Sequence, residues 1–154
     1  MVMKEAVARA WNLFISPKYS REIASAIRGM KLKKAMEFLE KVIEKKQPVV
    51  LRRYKKEVPH HYGKPSRYPV KAAKAILKVL QNAKANALYQ GMDEEKLYIY
   101  RIEAHRGIHK RPWGAKALGR ARLRGRRTNI VAVSYTHLRA HETEADLVCR
   151  LLLE

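Results

Sequence analysis

The chain has 154 residues, enough for one modest domain with a core of its own, and carries 34 Lys and Arg against 14 Asp and Glu, a formal net charge of +20. That excess repels itself unless a polyanion neutralises it, so nucleic acid is the first partner class to consider and an anionic membrane surface the second. No apolar run approaches the roughly 18 residues that span a bilayer, the N-terminus lacks a signal-peptide core, and the single Cys149 excludes an internal disulfide framework or a cysteine-built zinc site; a soluble intracellular protein is expected.

Residues 4–15 alternate loosely, Val7, Trp11 and Leu13 against Lys4, Ala6 and Ala10, and are expected to form a first strand. Ser16-Pro17 reads as a helix start, with a hydroxyl at the N-cap and proline at the first helical position. That helix carries Ile23 and Ile27 on one face, Lys18, Arg21 and Arg28 on the other, and ends at Gly29. A second helix is expected from about Leu32 to Lys46, where Leu32, Ala35, Met36, Leu39, Val42 and Ile43 keep a 3.6-residue period.

The pattern breaks over 47–68. Pro48, Pro59, Gly63, Pro65 and then Pro69 punctuate a stretch that interleaves Arg52, Arg53, Lys55, Lys56, Lys64 and Arg67 with Tyr54, Tyr62 and Tyr68. A loop of this length is expected, either a solvated insertion or an RNA-contacting one. Pro69 opens a third helix running to about Tyr89 before Gly91, with Val70, Ala73, Ile76, Leu77, Leu80 and Ala87 on its buried face.

Leu97–Val133 then reads as a long hairpin, two strand-like arms flanking a basic middle that contains Gly107, Pro112, Gly114 and Gly119. At about 3.3 Å per residue the arm from Leu97 to His109 would reach roughly 40 Å, more than the ~30 Å width of a domain this size, so the hairpin is expected to leave the domain. Between Arg101 and Arg127 it holds ten Lys and Arg against one acid, Glu103. Arg120, Arg122, Arg124 and Arg126 are spaced by two, which on a strand puts four guanidiniums on one face. Lysines in such a run would read as a solvated face. Arginine forks bind phosphate bidentately and stack on bases, so the run reads as a nucleic-acid surface. Trp113 at the tip is expected to stack on a base or fill a partner's crevice.

Catalysis needs a nucleophile, a base and orienting groups that converge. There is no phosphate-binding glycine loop and no His-Glu-x-x-His pattern. His105 and His109, four apart, would lie roughly 13 Å apart on an extended strand, too far to share an ion. His60 and His61 adjoin in the loop and could touch phosphate or metal. No enzyme, cofactor or metal site is expected. Two rivals to an RNA-binding structural protein are an architectural or regulatory DNA-binding protein with a groove-reading ribbon and an RNA-processing nuclease; the first would need a shorter ribbon and the second a cluster of acids or histidines.

Ser16-Pro17-Lys18-Tyr19-Ser20-Arg21-Glu22-Ile23 with Ile27-Arg28-Gly29-Met30, the run from Lys71 to Ala87, Gly119-Arg120-Ala121 and Arg126-Arg127-Thr128-Asn129-Ile130 together resemble the universal large-subunit ribosomal protein family called "L twenty-two" in bacteria and archaea and "L seventeen" in eukaryotes. The resemblance covers about 4–133, and the 47–69 insertion is similar to the archaeal and eukaryotic form. It implies an α+β domain, three helices packed on a small antiparallel sheet with a long protruding β-hairpin. It further implies a structural role in the large subunit: rRNA binding, subunit assembly, and a hairpin lining the nascent-polypeptide exit tunnel beside the tunnel protein of the "L four" family. Partners would be large-subunit rRNA, neighbouring ribosomal proteins and the nascent polypeptide, in the cytoplasm, without membrane or homo-oligomer.

On that reading the arm contacts are His105, Arg106, His109, Lys110, Arg111, Lys116, Arg120, Arg122, Arg124, Arg126 and Arg127, with Trp113, Gly114, Ala115 and Lys116 at the tunnel tip. Arg52, Arg53, Lys55, Lys56 and Arg67 form a second set and Lys18, Arg21 and Arg28 a third. The chain departs from the family in Lys110–Ala121, where the proline is moved and the tip is one residue longer. It departs again after Val133: residues 134–154 resemble a translated sequencing-adapter oligonucleotide, and the charge changes from +22 over 1–133 to −2 beyond it. The ribosomal domain is therefore expected to be 1–133, with 134–154 a non-native tail.

Overall fold

Alanines decide how the first strand sits. In β1 (Glu5–Leu13) it is Ala6 and Ala8 that face the core, while Trp11 is 62% exposed. The element against this strand is the long helix α3 (Val70–Tyr89), which buries Ala72, Ala73, Ala83 and Ala87. Small side chains on both partners let helix and strand approach closely; Trp11 is left outside, while Leu13, past the register shift, packs partly against the core. The computed structural model describes residues 5–53, 57–108, 113–114, 121–122 and 125–135, with the backbone alone at 113–114 and 121–122. Among the expected contact residues Lys55, Lys56, His109, Lys110, Arg111, Ala115, Lys116, Arg120 and Arg124 lie outside the described residues, as does 136–154.

Between β1 and α3 come α1 (Pro17–Ile27), α2 (Leu32–Ile43) and three short strands, β2 (Val49–Val50), β3 (His60–His61) and β4 (Lys64–Arg67). After α3 a 3-10 turn (Glu94–Lys96) leads to β5 (Tyr98–Arg106), β6 (Trp113–Gly114), β7 (Ala121–Arg122) and β8 (Thr128–Tyr135). The main sheet has the order β1-β8-β5, antiparallel throughout, so the last strand is the central one. Ile23, Ile27, Leu39, Ile76 and Leu80 of the helices meet Ile99, Ile102, Ile130 and Ala132 of the sheet in one core. This is the expected α+β fold.

Proline starts α1, but the Ser16 hydroxyl does not cap it. That oxygen is buried without a partner, and Ser20 Oγ instead donates to the Ser16 carbonyl at 2.9 Å. The second helix ends at Ile43, three residues before the expected stop. Lys45 takes the left-handed conformation (φ 61°) with no glycine to announce it, and the amides of Lys45 and Lys46 close onto the carbonyls of Val42 and Lys41. Gly91 (φ 70°) ends α3 in the same way, as the sequence indicates.

The stretch expected to be an open loop carries its own sheet, β2-β4-β3. His61 and Lys64 face each other across a two-residue turn, Tyr62-Gly63, in which both residues have positive φ (54° and 73°). Leu51, fully buried, donates its amide to the carbonyl of Pro65 at 2.8 Å, so the proline costs the strand a donor but not its acceptor.

The hairpin also differs from expectation. Its first half is not an arm: β5 and β8 are sheet core, paired from Tyr98↔Tyr135 to Arg106↔Thr128. Strict alternation would put Leu97, Ile99, Arg101 and Glu103 on one face. A register shift between Ile99 and Arg101 leaves Tyr100 unmatched, and Ile102 and Ala104 join Leu97 and Ile99 inside. β8 also runs two residues past the boundary expected at Val133, with Ser134 buried and its hydroxyl 3.3 Å from the Ala6 carbonyl.

Candidate nucleic-acid interface

The candidate interface begins where the main sheet stops. Past Arg106↔Thr128 the outgoing and return chains are joined by the Gly107 amide donating to the Arg127 carbonyl at 2.9 Å. β1 reaches this point through Asn12, which takes the left-handed conformation (φ 53°) at a register shift between Ala10 and Leu13. The Asn12 amide donates to Asn129 Oδ1 at 2.8 Å, and its own Oδ1 accepts the Ile108 amide at 3.2 Å. Thr128 Oγ1, fully buried, donates to the Ile15 carbonyl at 2.9 Å. The Arg127 guanidinium lies 4.2 Å from the centre of the exposed Phe14 ring. One segment, residues 12–15, thus holds both the outgoing and the return chain at the root of the hairpin.

A Cβ on Gly107 would fall 2.9 Å from Asn12 Oδ1, 3.0 Å from Asn129 Oδ1 and 3.1 Å from Arg127 Cβ, so any larger residue must displace these side chains. Of this group the sequence pointed to Gly107, to Arg127 and, within the family motif, to Thr128 and Asn129, but not to their contacts. Phe14, Asn12 and Asn129 carry no local signal for a contact made across more than ninety residues.

Beyond the root a separate two-stranded ladder forms, Trp113↔Arg122 and Gly114↔Ala121. Six residues separate Arg106 from Trp113 on the way out and five separate Arg122 from Thr128 on the return, so the outgoing strand carries one extra residue. Trp113 and Gly114, expected at the tip, lie in this ladder, and residues 115–120 lie outside the described residues. Of the four arginines expected in one row, Arg122 is in β7 and Arg126 precedes β8 outside any strand, while Arg120 and Arg124 lie outside the described residues.

The expected contact residues divide by what already holds them. Arg106 and Arg126 are exposed at the root. His105 is exposed but its Nε2 lies 2.8 Å from Glu103, whose other oxygen takes the Arg101 Nε at 2.7 Å. Those two hydrogen bonds, Arg101 first and His105 second, hold the Glu103 carboxyl below its usual range. Lys18 is exposed on α1, but Arg21 and Arg28 turn back onto the fold: Arg21 Nε donates to the Ala104 carbonyl at 3.1 Å and Arg28 donates to the Ile102 carbonyl at 3.3 Å. In the insertion, the exposed Arg52 and Arg53 give their backbone amides to the buried Glu22 carboxylate at 3.0 and 2.9 Å. This carboxylate, which the sequence reading passed over, fixes the start of the insertion and leaves both guanidiniums outside. Arg67 is exposed and reaches Tyr19 Oη at 3.4 Å.

Among the described residues no group of three or more His, Cys, Asp or Glu could hold a metal ion, and no helix is long and apolar enough to cross a membrane. His60 and His61, expected in an open loop, form β3.

The profile of the family described as ribosomal protein L22p/L17e matches residues 8–136. The chain is similar to the large ribosomal subunit protein uL22 of Methanocaldococcus jannaschii, 51% identical over 122 residues, covering 77% of this chain and 78% of the relative. It is 49% identical over 124 residues to that of Methanopyrus kandleri, with 76% and 78% covered. To that of Methanothrix thermoacetophila it is 42% identical over 138 residues, with 87% and 91% covered.

Proposed function

This chain belongs to the ribosomal protein L22p/L17e family, and from that premise we propose that its hairpin is an arm that threads rRNA and reaches the wall of the nascent-polypeptide exit tunnel. The protein is a structural constituent of the large ribosomal subunit rather than an enzyme, a partner of large-subunit rRNA and of other ribosomal proteins in cytoplasmic ribosomes. Membership decides against the DNA-binding rival.

One observation carries the arm reading: a separate ladder, β6 with β7, stands beyond a root that is gripped on both sides, within a run of ten Lys and Arg against one acid. A free two-stranded ribbon of this charge is marginal in water and gains order when phosphates neutralise it. Arg106, Lys110, Arg111, Lys116, Arg120, Arg122, Arg124, Arg126 and Arg127 would supply most of the arm's affinity as phosphate contacts, with His105 and His109 beside them. Arg52, Arg53, Lys55, Lys56, Arg67 and Lys18 form the domain-side contacts. Arg21 and Arg28 serve mainly to tie α1 to β5. Trp113 and Gly114, with Ala115 and Lys116, approach the tunnel lumen, where the "L four" family protein is the expected neighbour.

A photoreactive residue in place of Trp113, carried into assembled large subunits, tests this. Cross-links to rRNA near the tunnel constriction and to a stalled nascent chain are expected. Efficient assembly with cross-links only to solvent-side rRNA would overturn the tunnel reading.

A further inference from the structure

Tyr62 stands in a conformation that does not suit it. It is the first of the two turn residues between β3 and β4, at φ 54°, and Gly63 follows at φ 73°. A two-residue hairpin with both central residues left-handed favours Asn-Gly or Asp-Gly, because a bulky side chain on the first residue crowds its own backbone. No packing compensates for the misfit: Tyr62 is 87% exposed. Strain kept without a packing reward is a reason to look for a ligand.

The ring borders a cleft of about 430 Å³ between the hairpin and the C-terminal turn of α2. Pro48 and Val50 contribute apolar lining, and Lys41, Lys46 and Lys64 line it as well. Among the described residues no carboxylate lines it; Glu44, just outside, pairs with Lys46 at 2.7 Å. The left-handed Lys45 turns the chain so that Lys41 and Lys46 flank the same opening, and His61 packs edge-on against Tyr68, just past β4, at 5.3 Å between ring centres, within the inserted sheet. An exposed aromatic ring, apolar lining and three lysines at one cleft match an unstacked base with its phosphates.

We propose that this cleft is a site for a single splayed-out RNA nucleotide, with the base on Tyr62 and the flanking phosphates on Lys41 and Lys64. The site rests on the rRNA-binding reading and narrows it: one nucleotide is bound out of its stack on the domain side, far along the chain from the arm. A protein segment could use the apolar lining, but three lysines at the cleft favour the polyanion.

The test measures binding of the full-length chain to protein-free large-subunit rRNA. Asn at position 62 suits the turn better than Tyr, so Tyr62→Asn should fold with an unfolding temperature equal to or above that of the wild type. Its rRNA affinity should nevertheless fall by about tenfold, while Tyr62→Phe, which keeps the ring, stays within about twofold. Lys41→Gln with Lys64→Gln should weaken binding and flatten its dependence on salt. Wild-type affinity in a folded Tyr62→Asn variant overturns the site. So does a variant that binds free rRNA normally but enters subunits poorly, which would assign the cleft to a protein neighbour. Failure of the wild type itself to bind rRNA would overturn the broader reading, and the site with it.

Discussion

Arg21 Nε donates to the backbone carbonyl of Ala104 at 3.1 Å, tying helix α1 to the outer edge of β5. Arg28 does the same at Ile102, and Gly29, Met30 and Leu32 exchange backbone hydrogen bonds with Ile99 and Leu97. An uncovered edge strand invites pairing with another chain, so this seam protects the sheet before assembly as well as stabilising it. Arg21→Ala should lower the unfolding free energy by about 1 kcal/mol, the scale of one charged hydrogen bond at a half-buried site. Chemical denaturation measures the loss, and the variant's rRNA affinity should change little. A large loss of affinity with an unchanged denaturation midpoint would place Arg21 in the RNA interface instead.

The helices were legible in the sequence because each repeats its apolar residues over three turns or more and two of them end at glycine. The basic run and the family motifs likewise gave away the partner class without any structure. What stayed hidden depends on contacts remote in sequence. The bulge at Tyr100 is invisible in a segment that alternates well on both sides of it, so the strand's core face could not be traced through. The inserted sheet has strands of two to four residues, too short for a period to show. The root clamp joins Asn12 to Ile108 and Asn129, which no window along the chain contains.

Glu22 shows how a single buried acid can organise a basic surface. Its two oxygens accept the amides of Arg52 and Arg53, so the insertion leaves the domain at a fixed angle with both guanidiniums outward. Glu22→Ala leaves two amides without this acceptor and should cost about 1–3 kcal/mol. Amide exchange at Arg52 and Arg53 should accelerate well beyond that of the α3 core. Exchange that rises equally everywhere would mean that Glu22 supports the whole fold rather than the insertion.

Tyr135 tests where the folded domain ends. It faces both Glu5 and Tyr98 across β8, and its ring meets Tyr100 edge-on at 5.0 Å. Donation of its hydroxyl to Glu5, together with burial, pushes its pKa up to about 12 from the ordinary 10.0. The raised value favours the neutral phenol in the fold, so its stabilisation is complete below about pH 10 and is lost as pH rises through about 12. A tyrosine titrating near 12 by ultraviolet difference spectra should vanish in Tyr135→Phe and move down in Glu5→Ala. Truncation after Val133 should cost about 2 kcal/mol or more relative to truncation after Tyr135, by removing Ser134 and Tyr135 from the central strand. Equal melting temperatures for the two truncations would show that the sheet gains nothing from those last rungs.

Gly107 controls how the arm leaves the domain. Its amide holds the return strand at Arg127, and a methyl group there would fall 2.9 Å from Asn12 Oδ1, closer than two such atoms can rest. The Asn12 side chain can swing away, but it then releases the Ile108 amide, the first contact on the outgoing side of the arm. Gly107→Ala should therefore cost about 1–3 kcal/mol and act locally, speeding amide exchange at Ile108 while the α3 core stays protected. Asn12→Gly separates the two roles of that asparagine, since glycine tolerates φ 53° but offers no acceptor. It should reproduce the faster exchange at Ile108 with less loss of global stability. In ribosome assembly both variants should bind rRNA through the domain yet insert the arm slowly, a defect that subunit reconstitution would reveal as delayed protection of the rRNA around Trp113. Normal arm insertion in both would mean that rRNA, rather than this clamp, sets the direction of the arm.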